Sequence, residues 1–160
     1  MKGRTMTLRS HFLHFIAGFV FERPVRRLSA DQLRQRLSAG GNTVVAAIRA
    51  ASDSDAHQRV ATHIIGIERW GQARLRELLT RTHTAEEYDH YRPASASMTQ
   101  LAETMVSTRA ETIAILDQLC AAGIPLTQQT SHNMFGQMTL AGWVQYLDAH
   151  ATLESRKLHK

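Results

Sequence analysis

The sequence AHQRVATHIIGIERW, residues 56–70, carries the pattern that determines the fold class. Its apolar residues recur at intervals of three and four positions, as at Val60, Ile67 and Trp70. That spacing places one stripe of side chains on a single face of an α-helix. His63 falls inside the same stripe, where an apolar residue is expected. The stretch therefore predicts an amphipathic helix with a histidine on its buried face.

Helical periodicity of the same kind recurs along the chain, and strand signals are nearly absent. Val44-Val45 and Ile64-Ile65 are the β-branched apolar pairs, and both fall within helical spacing. A break is expected at Gly40-Gly41-Asn42, and polar connections are expected over residues 80–97 and 123–138. Long helices are predicted over about residues 5–26, 52–79, 98–122 and from 140 nearly to the end, with short ones over 31–37 and 44–51. This pattern favours an all-α four-helix bundle.

An apolar run over residues 12–21 follows Lys2, Arg4 and Arg9. A charged start before an apolar run also occurs in secretory signal peptides. However, His14 interrupts the run, no cleavage site of small residues follows it, and it has about half the length that spans a bilayer. We therefore expect a core-facing amphipathic helix here and no membrane-spanning segment.

Composition narrows the class of protein further. The chain has 160 residues, of which 43% are hydrophobic and 21% charged, as in one globular domain over residues 1–160. The single cysteine, Cys120, excludes an intramolecular disulfide and a cysteine-rich metal site, fits a cytoplasmic protein, and is expected to be a core residue. The net charge is +5, but the basic residues are dispersed and only 6% of residues are aromatic. We expect neither a nucleic-acid nor a membrane partner, and nucleic-acid binding is the weakest alternative.

The last predicted helix carries two polar residues on its apolar face. Trp143 and Leu147 follow helical spacing, and His150 and Glu154 continue it. Residues at positions i and i+4 are neighbours on one helix face. A carboxylate on a buried face is costly unless it is paired or binds a metal ion. With His63 from a facing helix, these residues would form a three-ligand metal site that leaves a position open for water or substrate.

Simpler interpretations of these residues stay open. His63 alone is better explained as a hydrogen-bonded core histidine than as a metal ligand. His150 and Glu154 alone could form a surface pair near a helix end. Nothing in the spacing fixes which helices pair. Trp70 and Trp143 are expected to be core residues that wall any pocket formed there.

Three segments of the chain resemble the DinB/YfiT-like superfamily of bacterial metal-dependent proteins. The first runs from His63 to Trp70 and has a glutamate five residues after the histidine. The second is His132-Asn-Met-Phe-Gly136, a polar loop that leads into a last helix containing His150. The third runs from Leu28 to Leu33. The resemblance covers most of the chain.

This resemblance implies an up-up-down-down four-helix bundle, commonly a homodimer, with one divalent metal ion, zinc or nickel. His63 matches the ligand on the family's second helix, and His150 matches the first ligand on its last helix. Glu154 stands where the family usually has a histidine, so the site either survives with a harder ligand set or has decayed.

The function implied is that of a metal-dependent hydrolase or a low-molecular-weight-thiol transferase. It would act on a small molecule, such as a thiol, through a metal-activated water or thiolate, and no catalytic residue is assigned. The alternative is a non-catalytic binding or dimerisation module with a decayed metal site.

Other polar residues have simpler roles by geometry. Glu68 lies five residues after His63, about 140° around the helix, so we expect an ion pair rather than a shared metal. Arg109 interrupts an apolar stripe and is expected to be salt-bridged rather than to hold an anionic substrate. The histidines of the long connections are expected to be solvated: His83, His90 and His132.

Overall fold

The computed structural model describes residues 18–82 and 87–159. Most of this part of the chain is helical, which confirms the all-α class. The four long helices are α1 (Ala30–Ala50), α2 (Asp55–Thr80), α3 (Met98–Ala121) and α4 (Leu140–Ser155). Short helical segments are a π-helix over Gly18–Glu22 and 3-10 turns over Arg23–Val25, Tyr88–Tyr91 and Arg156–His159. A small antiparallel sheet pairs β1 (Gln129–His132) with β2 (Gly136–Thr139).

Polar capping residues set the helix starts. Ser29, Ser54, Ser97 and Thr139 each precede a long helix, and each side chain accepts a hydrogen bond from the backbone amide three residues later. These bonds satisfy amides that have no partner inside the helix. Gly123, with a φ of +75°, follows the end of α3. The predicted starts of α2, α3 and α4 and the end of α3 are confirmed to within a few residues.

The predicted break at Gly40-Gly41-Asn42 is wrong, because α1 runs unbroken from Ala30 to Ala50. The two glycines allow close packing instead. A Cβ atom at Gly40 would lie 1.9 Å from Oδ1 of Asp148, and one at Gly41 would lie 2.7 Å from Cγ of Arg109. The residues predicted as two short helices therefore form one of the four long helices.

The long helix predicted over residues 5–26 falls mostly on residues 1–17, outside the described part of the chain. Its described end is not α-helical, since Gly18–Glu22 forms a π-helix and Arg23–Val25 a 3-10 turn that contains Pro24. The Glu22 carboxylate anchors this end to the start of α4. It accepts hydrogen bonds from the Thr139 amide at 2.9 Å and from the Thr139 hydroxyl at 2.6 Å.

The connection between α3 and α4 contains the hairpin that sequence reasoning missed. Its strands pair Gln129 with Thr139 and His132 with Gly136. Gly136 has a φ of +76°, which glycine adopts without steric cost. The strands have only four residues each and are mostly polar, so they lack the apolar alternation that identifies a strand.

The four long helices pack against one another around a shared apolar core. Helices α1 and α2 each contact both α3 and α4. The apolar core divides into two clusters, one with Trp70, Leu116, Trp143 and Leu147 and the other with Ile48, Ile64, Met105 and Ala151. None of the described helices combines the length and the apolar character needed to cross a membrane.

A set of charges inside the bundle, here named the charge layer, consists of the buried Glu68 and Arg109 and the half-buried Asp148. Along α3 and α4, Arg109 and Asp148 fall between residues of the two apolar clusters. Arg109 donates hydrogen bonds to Glu68 at 3.0 Å and to Asp148 at 3.1 Å. The Thr112 hydroxyl donates to the other Glu68 oxygen at 2.7 Å. The ion pairs expected for Glu68 and Arg109 are therefore present.

Candidate functional site

Three elements bring histidines together at one place in the bundle. His63 lies on α2, His150 on α4, and His132 ends β1. The ring centroids of His63 and His150 are 5.2 Å apart, with an interplanar angle of 64°. All three rings line one cavity. We name His63, His132 and His150 the histidine cluster.

The surroundings of both helix-borne histidines favour the neutral form of the ring. Burial lowers the pKa of His63, and the positive charge of Arg92 lowers it further. Burial and the neighbouring His63 lower the pKa of His150 to about 4. Neutral imidazole is the form that binds a metal ion, so neither ring has to lose a proton near pH 7.

A hydrogen bond from Arg92 determines which nitrogen of the His63 ring carries the proton. Its Nη2 lies 3.1 Å from Nδ1 of His63, and its Nε pairs with Asp89 at 2.9 Å. Because a guanidinium only donates hydrogen bonds, Nδ1 accepts and the neutral ring carries its proton on Nε2. Gly66 allows this approach, since a Cβ there would lie 3.2 Å from Cα of Arg92.

Glu154 follows His150 by one helical turn, but its carboxylate is occupied. Both oxygens accept hydrogen bonds from Nζ of Lys157, at 2.8 and 2.7 Å. Burial would raise the pKa of Glu154, yet the hydrogen bonds and the positive charge of Lys157 outweigh this effect and lower the pKa. Glu154 and Lys157 share an open pocket with His63 and Arg92.

The separation of His63 and His150 fits two ligands of one divalent ion, whereas Glu154, the third predicted ligand, is held by Lys157. Two imidazoles bound to one tetrahedral zinc ion at ~2.0 Å have ring centroids roughly 5 Å apart, close to the separation of His63 and His150. Within residues 18–82 and 87–159, no three His, Cys, Asp or Glu side chains are already arranged to hold a metal ion. Metal binding by all three predicted ligands would require Lys157 and Arg92 to release Glu154 and His63.

An aromatic cavity of about 450 Å³ adjoins the histidine pair. Its lining includes Ile67, Trp70, Tyr88, Phe135 and Tyr146 in addition to the three histidines. Such a size and such an apolar lining are typical of small-molecule sites. Trp70 thus walls the pocket as expected, whereas Trp143 lies behind it in the core and donates to the Thr130 carbonyl at 3.3 Å.

His132 was expected to be solvated, and that expectation is wrong. Only 6% of its surface is exposed, because aromatic rings enclose it. The centroids of these rings lie 4.6 to 5.0 Å from that of His132, and they belong to Phe135, Tyr146, Trp143 and Trp70. Burial, with the nearby charge of Arg74, lowers the pKa of His132 to about 3.

The hydrogen bonds of His132 fix its tautomer. Nδ1 accepts from the amides of Met134 at 3.0 Å and Phe135 at 3.2 Å. The neutral ring therefore carries its proton on Nε2, which is buried and has no hydrogen-bond partner among the described residues. The sequence signal for this residue was its place at the head of the His132-Asn-Met-Phe-Gly136 turn, although that signal did not indicate burial.

The remaining predicted residues lie away from the histidine cluster or outside the part of the chain that the structure describes. His90 is exposed on the 3-10 turn, and His83 belongs to the segment 83–86, which is not described. Cys120 is half-buried against the apolar core, as expected.

In comparisons with known proteins, no family model, no curated protein and no solved structure matches the chain.

Proposed function

We propose that the chain is a DinB-like, up-up-down-down four-helix bundle that binds one divalent metal ion, zinc or nickel. His63 and His150 would hold the ion, and Glu154 would complete the ligand set. The observation that carries this proposal is the pair of neutral imidazoles, 5.2 Å apart, in the wall of an aromatic cavity. The contacts of α1 and α2 with both α3 and α4 support the bundle arrangement.

The activity we propose is that of a metal-dependent hydrolase or a low-molecular-weight-thiol transferase. A divalent ion in this position would supply Lewis-acid chemistry, since it lowers the pKa of a water molecule or thiol that reaches it. The chain's own residues orient the substrate and exclude water. Trp70, Tyr88 and Tyr146 form apolar walls beside the histidine pair.

Two further features belong to the same proposal. The resemblance to the superfamily suggests a homodimer, and a single cysteine fits a reducing compartment such as the cytoplasm. The substrate is a small molecule, because the cavity has a mainly apolar lining and a volume of about 450 Å³.

A second candidate is a non-catalytic binding or dimerisation module with a decayed metal site. Two specific contacts favour it. Lys157 holds both oxygens of Glu154, and Arg92 occupies Nδ1 of His63. In this interpretation the two cations have replaced the metal ion as partners of these side chains.

Elemental analysis distinguishes the two candidates. Tag-free protein, purified without chelator or added metal, is compared with His63→Ala and with His57→Ala. His57 is a matched control, because it lies on the same helix but bonds to Ser52 outside the histidine cluster. We expect about one zinc or nickel ion per chain in the wild type and in His57→Ala, and a loss of this metal in His63→Ala.

The substitution Glu154→His tests the third ligand. It restores the residue that the superfamily usually has, so we expect it to keep the metal and to tighten its binding. Metal-free wild-type protein that takes up no ion on titration, together with a Glu154→His variant that also takes up none, would favour the non-catalytic module.

A further inference from the structure

A buried hydrogen-bond donor on His132, a residue of the cavity wall, has no acceptor among the described residues. Nδ1 of His132 faces the turn amides of Met134 and Phe135. Nε2–H lies on another edge of the ring, directed away from that turn, and His132 itself lines the cavity. A buried donor without an acceptor costs free energy, so an uncompensated one requires an explanation.

The surrounding rings do not satisfy this donor. Trp70 and Tyr146 stand nearly perpendicular to the His132 ring, at 84° and 83°. An N–H group directed at an aromatic face gains less than one bonded to an oxygen atom. Nε2–H therefore lacks a strong acceptor, and because the atom is buried, a ligand that supplies one reaches it only between the surrounding rings.

We propose that the cavity binds a planar, largely apolar molecule with a neutral carbonyl group, and that Nε2–H of His132 donates to the carbonyl oxygen. Aromatic ketones, esters and amides belong to this class. The proposal deepens the proposed function, since it names the substrate class of the same site and rests on that function for the reaction that follows. The binding itself requires no metal ion.

The shape and charge of the cavity select this class. The rings of Trp70, Tyr88, Phe135 and Tyr146 provide flat apolar walls for a planar body. Glu87 also lines the cavity, and its negative charge disfavours a carboxylate ligand. His132 accepts two backbone amides at Nδ1, so its ring is neutral and does not compensate an anion. A neutral carbonyl matches both the donor and the surrounding charge.

The location relates the donor to the histidine pair. The Tyr146 ring contacts both sides: its centroid lies 4.7 Å from that of His132 and 5.8 Å from that of His150. A carbonyl held at His132 thus lies in the same cavity that His63 and His150 line. His132 acts as a residue that binds and orients the substrate.

The test compares two soluble probes that differ in one carbonyl group, 4-hydroxyacetophenone and 4-ethylphenol. Each is titrated into ¹⁵N-labelled full-length protein in the presence of a chelator. The indole signals of Trp70 and Trp143, the two tryptophans of the chain, report binding. We expect the ketone to bind about five- to tenfold more tightly than 4-ethylphenol, which corresponds to one buried hydrogen bond.

Two variants identify the donor. His132→Asn removes Nε2–H, while the asparagine oxygen can still accept the turn amides, as in an Asx turn. We expect the preference for the ketone to fall to about onefold in this variant. Tyr146→Phe removes the hydroxyl donor of the same cavity and keeps its ring, and we expect the preference to remain.

A measurement on the wild-type protein complements the variants. The Nε2–H proton of His132 should shift downfield with 4-hydroxyacetophenone and not with 4-ethylphenol. Equal affinities of the two probes in wild-type protein would overturn the proposal, as would a preference that survives in His132→Asn or disappears in Tyr146→Phe. Because the chelator removes any metal, these results stand apart from the metal-content measurement on His63→Ala.

Discussion

The charge layer and the histidine cluster are both polar groups inside a helical protein, but they differ in how they are satisfied. In the charge layer, Arg109 contacts Glu68 and Asp148, and the Glu68 carboxylate also accepts from Thr112. Nε of Arg109 lies 2.9 Å from Glu68 as an ion pair rather than as an aligned hydrogen bond. In the histidine cluster, Nε2–H of His132 has no acceptor among the described residues.

This difference separates structure from function. The charges of the charge layer are paired with one another, and the neighbouring Gly40 and Gly41 leave room for the side chains of Asp148 and Arg109. The histidine cluster instead lines a cavity, and Nε2–H of His132 has no acceptor among the described residues. We infer that the charge layer stabilises the packing of the helices and that the histidine cluster binds a ligand.

The largest effect is expected from breaking the charge layer. Arg109→Met leaves Glu68 buried without its cation, so we expect the free energy of unfolding to fall by about 3–5 kcal/mol. Urea unfolding followed by circular dichroism measures this loss. Arg34→Met is the control, because Arg34 pairs with Asp117 at the surface and its loss should change the free energy of unfolding far less. Equal losses in the two variants would show that the charge layer has no special structural role.

The next effect comes from acidification and acts on the histidine cluster. The pKa of His132 is about 3 in the folded chain, against 6.5 for an unperturbed histidine. Below pH 6.5 the unfolded chain binds a proton at this residue that the folded chain does not. The stability contributed by neutral His132 is therefore present at pH 7 and is lost as the pH falls, by ~1.4 kcal/mol per unit down to about pH 3.

Urea unfolding of wild type and His132→Asn at pH 7, 5.5 and 4.5 isolates this contribution. Other titrating groups act on both proteins, so the difference between their slopes belongs to His132. We expect the variant to be less sensitive to acid. Identical pH slopes would mean that His132 is solvated and can be protonated in the folded chain.

A smaller effect is expected at the edge of the proposed metal site. Lys157 holds both oxygens of Glu154 but is itself about half-exposed. Lys157→Met frees the carboxylate, and we expect zinc to bind up to about fivefold more tightly, in keeping with the modest strength of an exposed ion pair. Calorimetric titration measures this change. Arg156→Met, which removes the same charge from the neighbouring position, should leave the affinity nearly unchanged, and an equal gain there would indicate a general charge effect.

The sequence predicts the helices where the signals are local. Ser54 and Thr139 mark the starts of α2 and α4, and the spacing of apolar residues identifies their buried faces. These faces also place His63 and His150 toward the interior. The continuity of α1 could not be predicted, because Gly40 and Gly41 owe their role to Asp148 and Arg109 on other helices. A local glycine signal does not distinguish a helix break from a close approach.

The candidate site could be predicted only in part, for the same reason. The burial of His132 depends on rings from distant segments, Trp70 on α2 and Trp143 and Tyr146 on α4. The polar strands of the hairpin carry no periodic pattern that would indicate this burial. Likewise, the spacing of His150 and Glu154 could not reveal that Lys157 occupies the carboxylate.

The most direct test of the central claim is a zinc titration followed in long-range ¹H–¹⁵N spectra of the histidine rings. One equivalent of zinc should shift the ring nitrogens of His63 and His150 to metal-bound values. His57, which lies outside the histidine cluster, should not respond. Rings of His63 and His150 that remain unchanged at several equivalents, or responses confined to exposed histidines such as His90, would contradict the account.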